Sequence, residues 1–401
     1  MKIKSFEVHG LFGFEDKITL NFNEDLNILS GRNGAGKTTV LKLMWYLISG
    51  NFDKAAAEIK FKNAKIITDE YDLQVEINLN DQENPLFSKI VFSRKNQDIR
   101  VDEKFIQFGK ENPRIDWFVT QYVGSSFFFP TFRMIEGGFT TEKYDIKHDV
   151  LKEFYLKINN NEGGLVKLDE SLKEISQSLN NKEHNFITSI SANNIENLLV
   201  KKYASIITTV SDSQNKLVDK YTEKFKILEE TENDNIRENL IEDLDKKNSE
   251  IQKLKSEIDL IRLPINQIEN IVDIFFSNKS IIFGGKIRFI PKKLKQEFLT
   301  SGSEISLNQL LSINNLSAGE KQILNFITYN AIYDNTIIFI DEPELSLHAD
   351  WQRILFRKLQ QQNPTNQFII STHSPFIYSK YPDKEICIDP KLDRGNVEDQ
   401  K

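Results

Sequence analysis

The eight residues Gly31-Arg32-Asn33-Gly34-Ala35-Gly36-Lys37-Thr38 constrain this chain more than any other stretch. They fit the phosphate-loop pattern G-x-x-x-x-G-K-[ST], which carries meaning only between a strand and a helix. Both are legible here. Leu26-Asn27-Ile28-Leu29 reads as a strand, and Val40, Leu41, Met44, Trp45 and Ile48 form an apolar stripe at helical spacing, with Gly50 as a stop. In that setting the glycines let successive backbone N–H groups converge on phosphate oxygens, and the helix N-terminus adds positive potential. The expected nucleotide cradle is Asn33, Gly34, Ala35, Gly36, Lys37, Thr38 and Thr39. Lys37 is expected to reach the β- and γ-phosphates of ATP, and the Thr38 hydroxyl to ligate Mg²⁺.

A second constraint lies 300 residues on. Thr336-Ile337-Ile338-Phe339-Ile340-Asp341-Glu342 is an unbroken apolar run that ends in two carboxylates. Such a run reads as a strand of a parallel sheet buried on both faces, and open α/β sheets bind ligands at the carboxyl ends of their strands. Asp341 is placed to hold a metal hydration shell and Glu342 to polarise an attacking water. Gln367-Phe368-Ile369-Ile370-Ser371-Thr372-His373 repeats the design, with His373 either a γ-phosphate partner or a structural histidine. Between the two runs, Trp351, Ile354, Leu355 and Leu359 mark a helix, so a right-handed β-helix-β crossover is expected. Upstream, Leu316-Ser317-Ala318-Gly319-Glu320 precedes a helical pattern. Its Ser-x-x-Glu spacing is also that of an ordinary capping box.

The remaining chain is read by pattern. Ile3, Phe6 and Val8 with Ile18, Leu20 and Phe22 suggest an antiparallel pair. Further strands are expected at 65–67, 73–79 and 89–92, continuing at 99–101 and 105–108, which gives a mainly antiparallel subdomain. Ser126-Phe127-Phe128-Phe129 reads as a buried strand ending at Pro130, with Arg133 just beyond it, facing either solvent or a ligand. From about Tyr144 to Phe276 strand patterns fade. Short amphipathic helices are expected at 169–179 and 194–203, with breaks at Gly163-Gly164 and Asn180-Asn181. Leu240, Leu244, Ile251, Leu254, Ile258 and Ile261 follow heptad-like steps with Lys247 in the one polar slot. That run is either a short coiled coil or an amphipathic helix packed on a neighbour, and Pro264 is expected to end it. Strand pattern returns at 280–283 and 286–290, followed by the basic cluster Lys292, Lys293 and Lys295.

These motifs, in this order, resemble those of the ABC-type ATPase heads: the phosphate loop GRNGAGKT, the signature LSAGE, the Walker B strand IIFIDE and the switch histidine of STHSP. Asp341-Glu342-Pro343-Glu344-Leu345-Ser346-Leu347-His348 is most similar to the branch containing RecF and the overcoming-lysogenization-defect nucleases. The resemblance covers roughly 1–140 and 276–385. It implies an α/β fold: a mixed β core and an antiparallel β subdomain, with an inserted helical or short coiled-coil arm. The chain then divides into 1–143, carrying the phosphate loop, a helical insertion at 144–276, and 277–401, carrying signature, Walker B and histidine. It also implies a homodimer, or a higher even-numbered oligomer, that sandwiches ATP. Ser317 and Gly319 of one copy would contact the γ-phosphate held by Lys37 of the other. Two departures stand out. No glutamine occupies the metal-watching place near Phe129-Pro130-Thr131, and Gln121 is the nearest candidate. Only 28 residues follow His373, too few for the nuclease domain seen in that branch, so a nuclease or toxin effector is expected on a separate chain.

The 401 residues suffice for two lobes, and 39% hydrophobic with 28% charged residues fits a globular protein. A net charge of −7 argues against a generally basic nucleic-acid binder and leaves a local basic groove open. The single cysteine, Cys387, excludes a disulfide framework, and no apolar run is long enough to span a bilayer. With no signal-peptide core at the start, the expected compartment is the cytoplasm. The leading expectation is an Mg²⁺-dependent ATPase that controls a separate effector in bacterial anti-phage defence, a setting where standalone heads of this branch occur. The rivals are a RecF-like clamp that binds DNA directly, a transporter motor, and a scaffold that binds ATP with little turnover.

Overall fold

The computed structural model describes residues 1–13, 16–78, 86–95, 100–106, 124–131, 134–135, 174–230, 247–301 and 309–388. Arg133, Gln121, Ile99, Phe108, Gly163, Gly164, Leu240 and Leu244 lie outside these residues, as do residues 169–173 of the helix expected at 169–179, whose described part, 174–179, is helical. The chain forms two compact units, Met1–Ser191 with Tyr333–Lys401, and Ala192–Ile332.

The first unit holds two six-stranded sheets. One is antiparallel: β1 (Ile3–His9), β2 (Lys17–Asn21), β4 (Asn63–Thr68), β5 (Tyr71–Asn78), β6 (Leu86–Arg94) and β7 (Arg100–Ile106), in the order β2-β1-β4-β5-β6-β7. In β4 burial alternates along the strand, as it does where a sheet covers a core with one face. The other sheet is parallel: β3 (Leu26–Ser30), β8 (Ser126–Phe129), β10 (His184–Phe186), β14 (Ile337–Asp341), β15 (Gln367–Ser371) and β16 (Glu385–Cys387), in the order β10-β8-β14-β15-β3-β16. Every residue of β3, β8, β14 and β15 is buried, which is why these segments read as continuous apolar runs. The short strands β9 (Met134–Ile135) and β11 (Ser189–Ile190) form a separate parallel pair.

The helix Lys37–Ile48 follows the phosphate loop and is buried well beyond the expected stripe, with Leu43, Tyr46 and Leu47 also inside. Its Trp45 packs against Phe128 and Phe186, with ring centroids 5.6 and 5.3 Å away, while those two phenylalanines stack at 5.2 Å. The loop is thereby anchored to β8 and β10. Buried Gln367 ties the sheets together: its amide accepts from the Ile3 N–H at 2.8 Å and donates to the Ile3 and Asn23 carbonyls at 2.8 and 2.7 Å.

The second unit contains the helix Ala192–Glu230, the helix Lys247–Phe275, a hairpin of β12 (Lys279–Ile282) and β13 (Arg288–Pro291), and the helices Lys292–Ser301 and Ala318–Ile332. The two long helices pack through Ile206, Val210 and Ile265, flanked by Tyr203, Ile258 and Ile261. Further along, Lys220 donates to Glu250 at 2.7 Å, so the pair runs antiparallel.

The structure departs from these expectations at several points. The short helix at 194–203 is the first part of a 39-residue helix, whose polar composition hides its length. Pro264 does not end the second helix but sits inside it, because burial of Ile265, Ile268, Val272 and Phe275 after it, and packing of Ile258 and Ile261 before it, hold the helix on both sides. The segment where strand patterns fade still contains β10 and β11, and β10 extends the parallel sheet. The helix Phe52–Glu58 stands between the first helix and the strand expected at 65–67, a stretch for which no element was read.

Candidate nucleotide site

The site is built where three neighbouring parallel strands end. β3 feeds the phosphate loop, β14 ends at Asp341, and β15, lying between them, ends at Ser371. Gly34 and Gly36 take φ of +86° and +87°, a region that side chains with a Cβ avoid, so the loop can curl only with glycine there. Gly36 is the N-cap of the helix Lys37–Ile48, and no side chain caps that end. Its first-turn N–H groups, Lys37, Thr38 and Thr39 among them, face the place where an anion would bind. Lys37 is buried and its ammonium donates to the Gly31 and Arg32 carbonyls at 2.9 and 3.1 Å. Asn33 and Gly34 are exposed at the loop tip, and Ala35 is tucked beneath it, its N–H bonded to the Arg32 carbonyl at 3.1 Å.

Asp341 is fully buried and is the hub of the site. Its Oδ1 accepts from the Thr38 hydroxyl at 2.9 Å and from the Ser371 hydroxyl, and its Oδ2 accepts from the Thr131 hydroxyl. Thr38 and Asp341 thus present adjacent hard oxygen donors, the set that suits a small divalent cation. Glu342 follows with φ of +50°, a strained conformation for a residue other than glycine, held by its N–H donating to the Ser371 carbonyl at 3.0 Å. Burial, the hydrogen-bonded Glu344 carboxyl and the charges of Glu344 and Asp341 push the Glu342 carboxyl up to about 8. His373 Nε2 lies 3.6 Å from Glu342 Oε1. Burial and the nearby Lys37 ammonium lower the imidazole below its usual range, which favours the neutral ring.

Lys37, Thr38, Asp341, Glu342 and His373 therefore meet in the first unit, from three separate parts of the sequence. Ser317 and Gly319 belong to the second unit, at the start of the helix Ala318–Ile332. There the Ser317 N–H donates to Glu320 Oε2 at 2.8 Å and the Glu320 N–H to Ser317 Oγ at 3.3 Å, a formed capping box. Glu320 is also paired with Lys279 at 2.6 Å.

Several site residues escape a reading of the sequence. Thr131 stands where the resemblance leads one to look for a glutamine, and it contacts the Asp341 carboxylate directly. Ser371 does the same from β15, as the alternation of polar residues after that strand could have suggested. Phe12, with φ of +57° and 48% exposed, lies over Gly36, where an added Cβ would come within 2.8 Å of its ring. The glycines on either side, Gly10 and Gly13, were its only signal.

A phosphate loop on one strand and an Asp-Glu pair on another, with a single strand between, define an α/β P-loop ATPase. The chain belongs to the AAA ATPase domain family, whose match takes in residues 1–378. Among curated relatives, the retron Vc95 probable ATPase of Vibrio cholerae is 36% identical over 113 residues, covering 25% of this chain and 21% of that protein. The Septu protein PtuA of Bacillus thuringiensis is 40% identical over 60 residues, 15% of each chain. The matched stretches thus span about a fifth or less of these relatives' length. A solved SMC head bound to the C-winged helix domain of ScpA aligns over 95% of this chain and 92% of that one, with a TM-score of 0.40 and 11% identity. Among the described residues, no helix is long and apolar enough to cross a membrane.

Proposed function

We propose that this ATPase is a nucleotide-driven switch: two copies close on bound ATP, and hydrolysis reopens them to control a separate nuclease or toxin in cytoplasmic anti-phage defence. The observation that carries the reading is the Asp341 carboxylate, which accepts from Thr38, Thr131 and Ser371 while Glu342 and His373 stand beside it. The defence setting is supported by the retron and Septu relatives.

In this reading the loop N–H groups from Asn33 to Thr39 bind the phosphates and Lys37 neutralises their charge. Thr38 and Asp341 would hold Mg²⁺, which when bound withdraws charge from the phosphate oxygens. Glu342, in its ionised form, orients the attacking water and accepts its proton. Neutral His373 donates a hydrogen bond toward the γ-phosphate. The exposed ring of Phe12 offers a stacking face for the base. Ser317 and Gly319 of the partner copy complete the site from the N-terminus of their helix.

The test is ATP-dependent self-association of the purified protein by analytical ultracentrifugation. Glu342→Gln should bind ATP and accumulate dimers; Ser317→Ala should bind ATP and remain monomeric. Dimers that form equally with and without ATP would remove the switch. Effector control is tested by co-expression: a nuclease or toxin encoded beside this gene should change its toxicity when Lys37→Ala replaces the wild type. The DNA-clamp alternative draws little from the basic cluster, since Lys292 donates to the Asp273 carbonyl at 2.6 Å and Lys295 lies 3.8 Å from the Asp273 carboxylate.

A further inference from the structure

Beyond the residues already given roles, a second layer of polar contacts joins the two strand ends of the site. The loop after β14 leaves through two strained residues, Glu342 and Ser346, with φ of +50° and +65°. Such a loop keeps its shape only when its surroundings determine it. Two side chains do so. Glu344 reaches across to the segment after β15, where its Oε1 accepts from the His373 N–H at 2.9 Å. Gln352, buried on the first turns of the helix Ala349–Gln362, reaches back to the same two segments. Its Nε2 donates to the Leu347 carbonyl at 2.8 Å and approaches the Glu344 carbonyl at 3.5 Å, and its Oε1 accepts from the Ser374 hydroxyl at 2.5 Å. Ser374 in turn donates its N–H to Thr372 Oγ1 at 2.9 Å, fixing the residues on either side of His373.

We propose that Glu344 and Gln352 are positioning residues that clamp the loop of Glu342 to the segment of His373, so that the two catalytic side chains are held as one unit. The inference rests on the roles proposed above for Glu342 and His373. The chemistry requires both groups at one reacting centre, and a shift of about 1 Å is enough to lower turnover by on the order of 100-fold. Neither Glu344 nor Gln352 contributes a donor to the phosphate loop, so the clamp governs the rate of the bound state rather than the affinity for nucleotide.

The experiment compares steady-state hydrolysis and equilibrium ATP binding in Gln352→Leu, Glu344→Ala and Glu344→Gln, beside Glu342→Gln. Gln352→Leu and Glu344→Ala are expected to lose at least about tenfold in kcat while KM and ATP affinity stay within about twofold. Glu344→Gln retains an oxygen that can accept the His373 N–H, and its kcat is expected to recover to within about threefold of wild type. That recovery separates positioning from general stability. Should Gln352→Leu fail to fold, the Glu344 pair decides alone. If Glu342→Gln abolishes turnover while Gln352→Leu and Glu344→Ala hydrolyse normally, the clamp is refuted and the catalytic reading stands. Equal losses in Glu344→Ala and Glu344→Gln would also refute it. Normal turnover in Glu342→Gln would remove the catalytic reading and the clamp with it.

Discussion

The parallel sheet and the paired long helices bury their side chains to very different degrees. In β3, β8, β14 and β15 no position is exposed. In the helix Lys247–Phe275, Leu260 is 69% exposed and Leu263 46%. A sheet buried on both faces tolerates little movement, and the carboxylate and hydroxyl groups at its strand ends inherit that rigidity. A polar helix pair held by a few apolar contacts and exposed ion pairs has lower local stability and adapts more readily. The contrast sets a rigid frame beneath the strand-end groups against a helix pair that can adapt.

The largest expected effect probes the rigid side. Glu342→Gln should lower turnover by on the order of 100-fold or more, read by phosphate release, while ATP binding persists. A wild-type rate would mean that the strand end is not the reacting centre. Core packing comes next. Phe339→Ala in β14 should cost roughly 3–5 kcal/mol in denaturant unfolding, whereas Leu260→Ser should stay within about 0.5 kcal/mol. Similar costs at both sites would erase the contrast.

The third test uses charge. Between its ordinary value of 4.5 and about 8, Glu342 keeps in the folded state a proton that the unfolded chain has released. Stability therefore falls as pH rises through that window. Glu342→Gln should be more stable than wild type at pH 8 by about 1–3 kcal/mol, an advantage that vanishes near pH 4.5, measured by thermal melts across pH. Smaller still, Pro264→Ala should stabilise the second unit by about 1 kcal/mol by restoring a helix hydrogen bond. Lys220→Ala, which removes a half-exposed pair with Glu250, should cost under about 1 kcal/mol.

The legible parts of this molecule were those where composition and local order coincide. The phosphate loop carried its own flanking strand and helix, and β14 and β15 announced burial through unbroken apolar runs ending in polar residues. What stayed hidden depends on distance or brevity. The hydroxyl of Thr131 meets Asp341 across 210 residues, and nothing near either one marks the pairing. β10 is three residues long, too short for any periodicity, and it is a strand because β8 offers it an edge. Pro264 signals a stop locally, yet tertiary packing carries the helix past it.

That proline lies at a mechanical boundary. After it, Ile265, Ile268, Val272 and Phe275 are buried; before it, Ile251 and Leu260 face water. The length from Lys247 to Pro264 is roughly 25 Å at 1.5 Å per residue. The ring withholds one N–H at the root of that length, and the packing of Ile258 and Ile261 and the Glu250 bonds to Lys220 and Tyr221 hold the shaft beyond it against its neighbour, so any bend concentrates at the proline. A tilt of about 10° at the root carries the tip on the order of 4 Å, turning a small displacement at the base into a reach that a neighbouring molecule could sense.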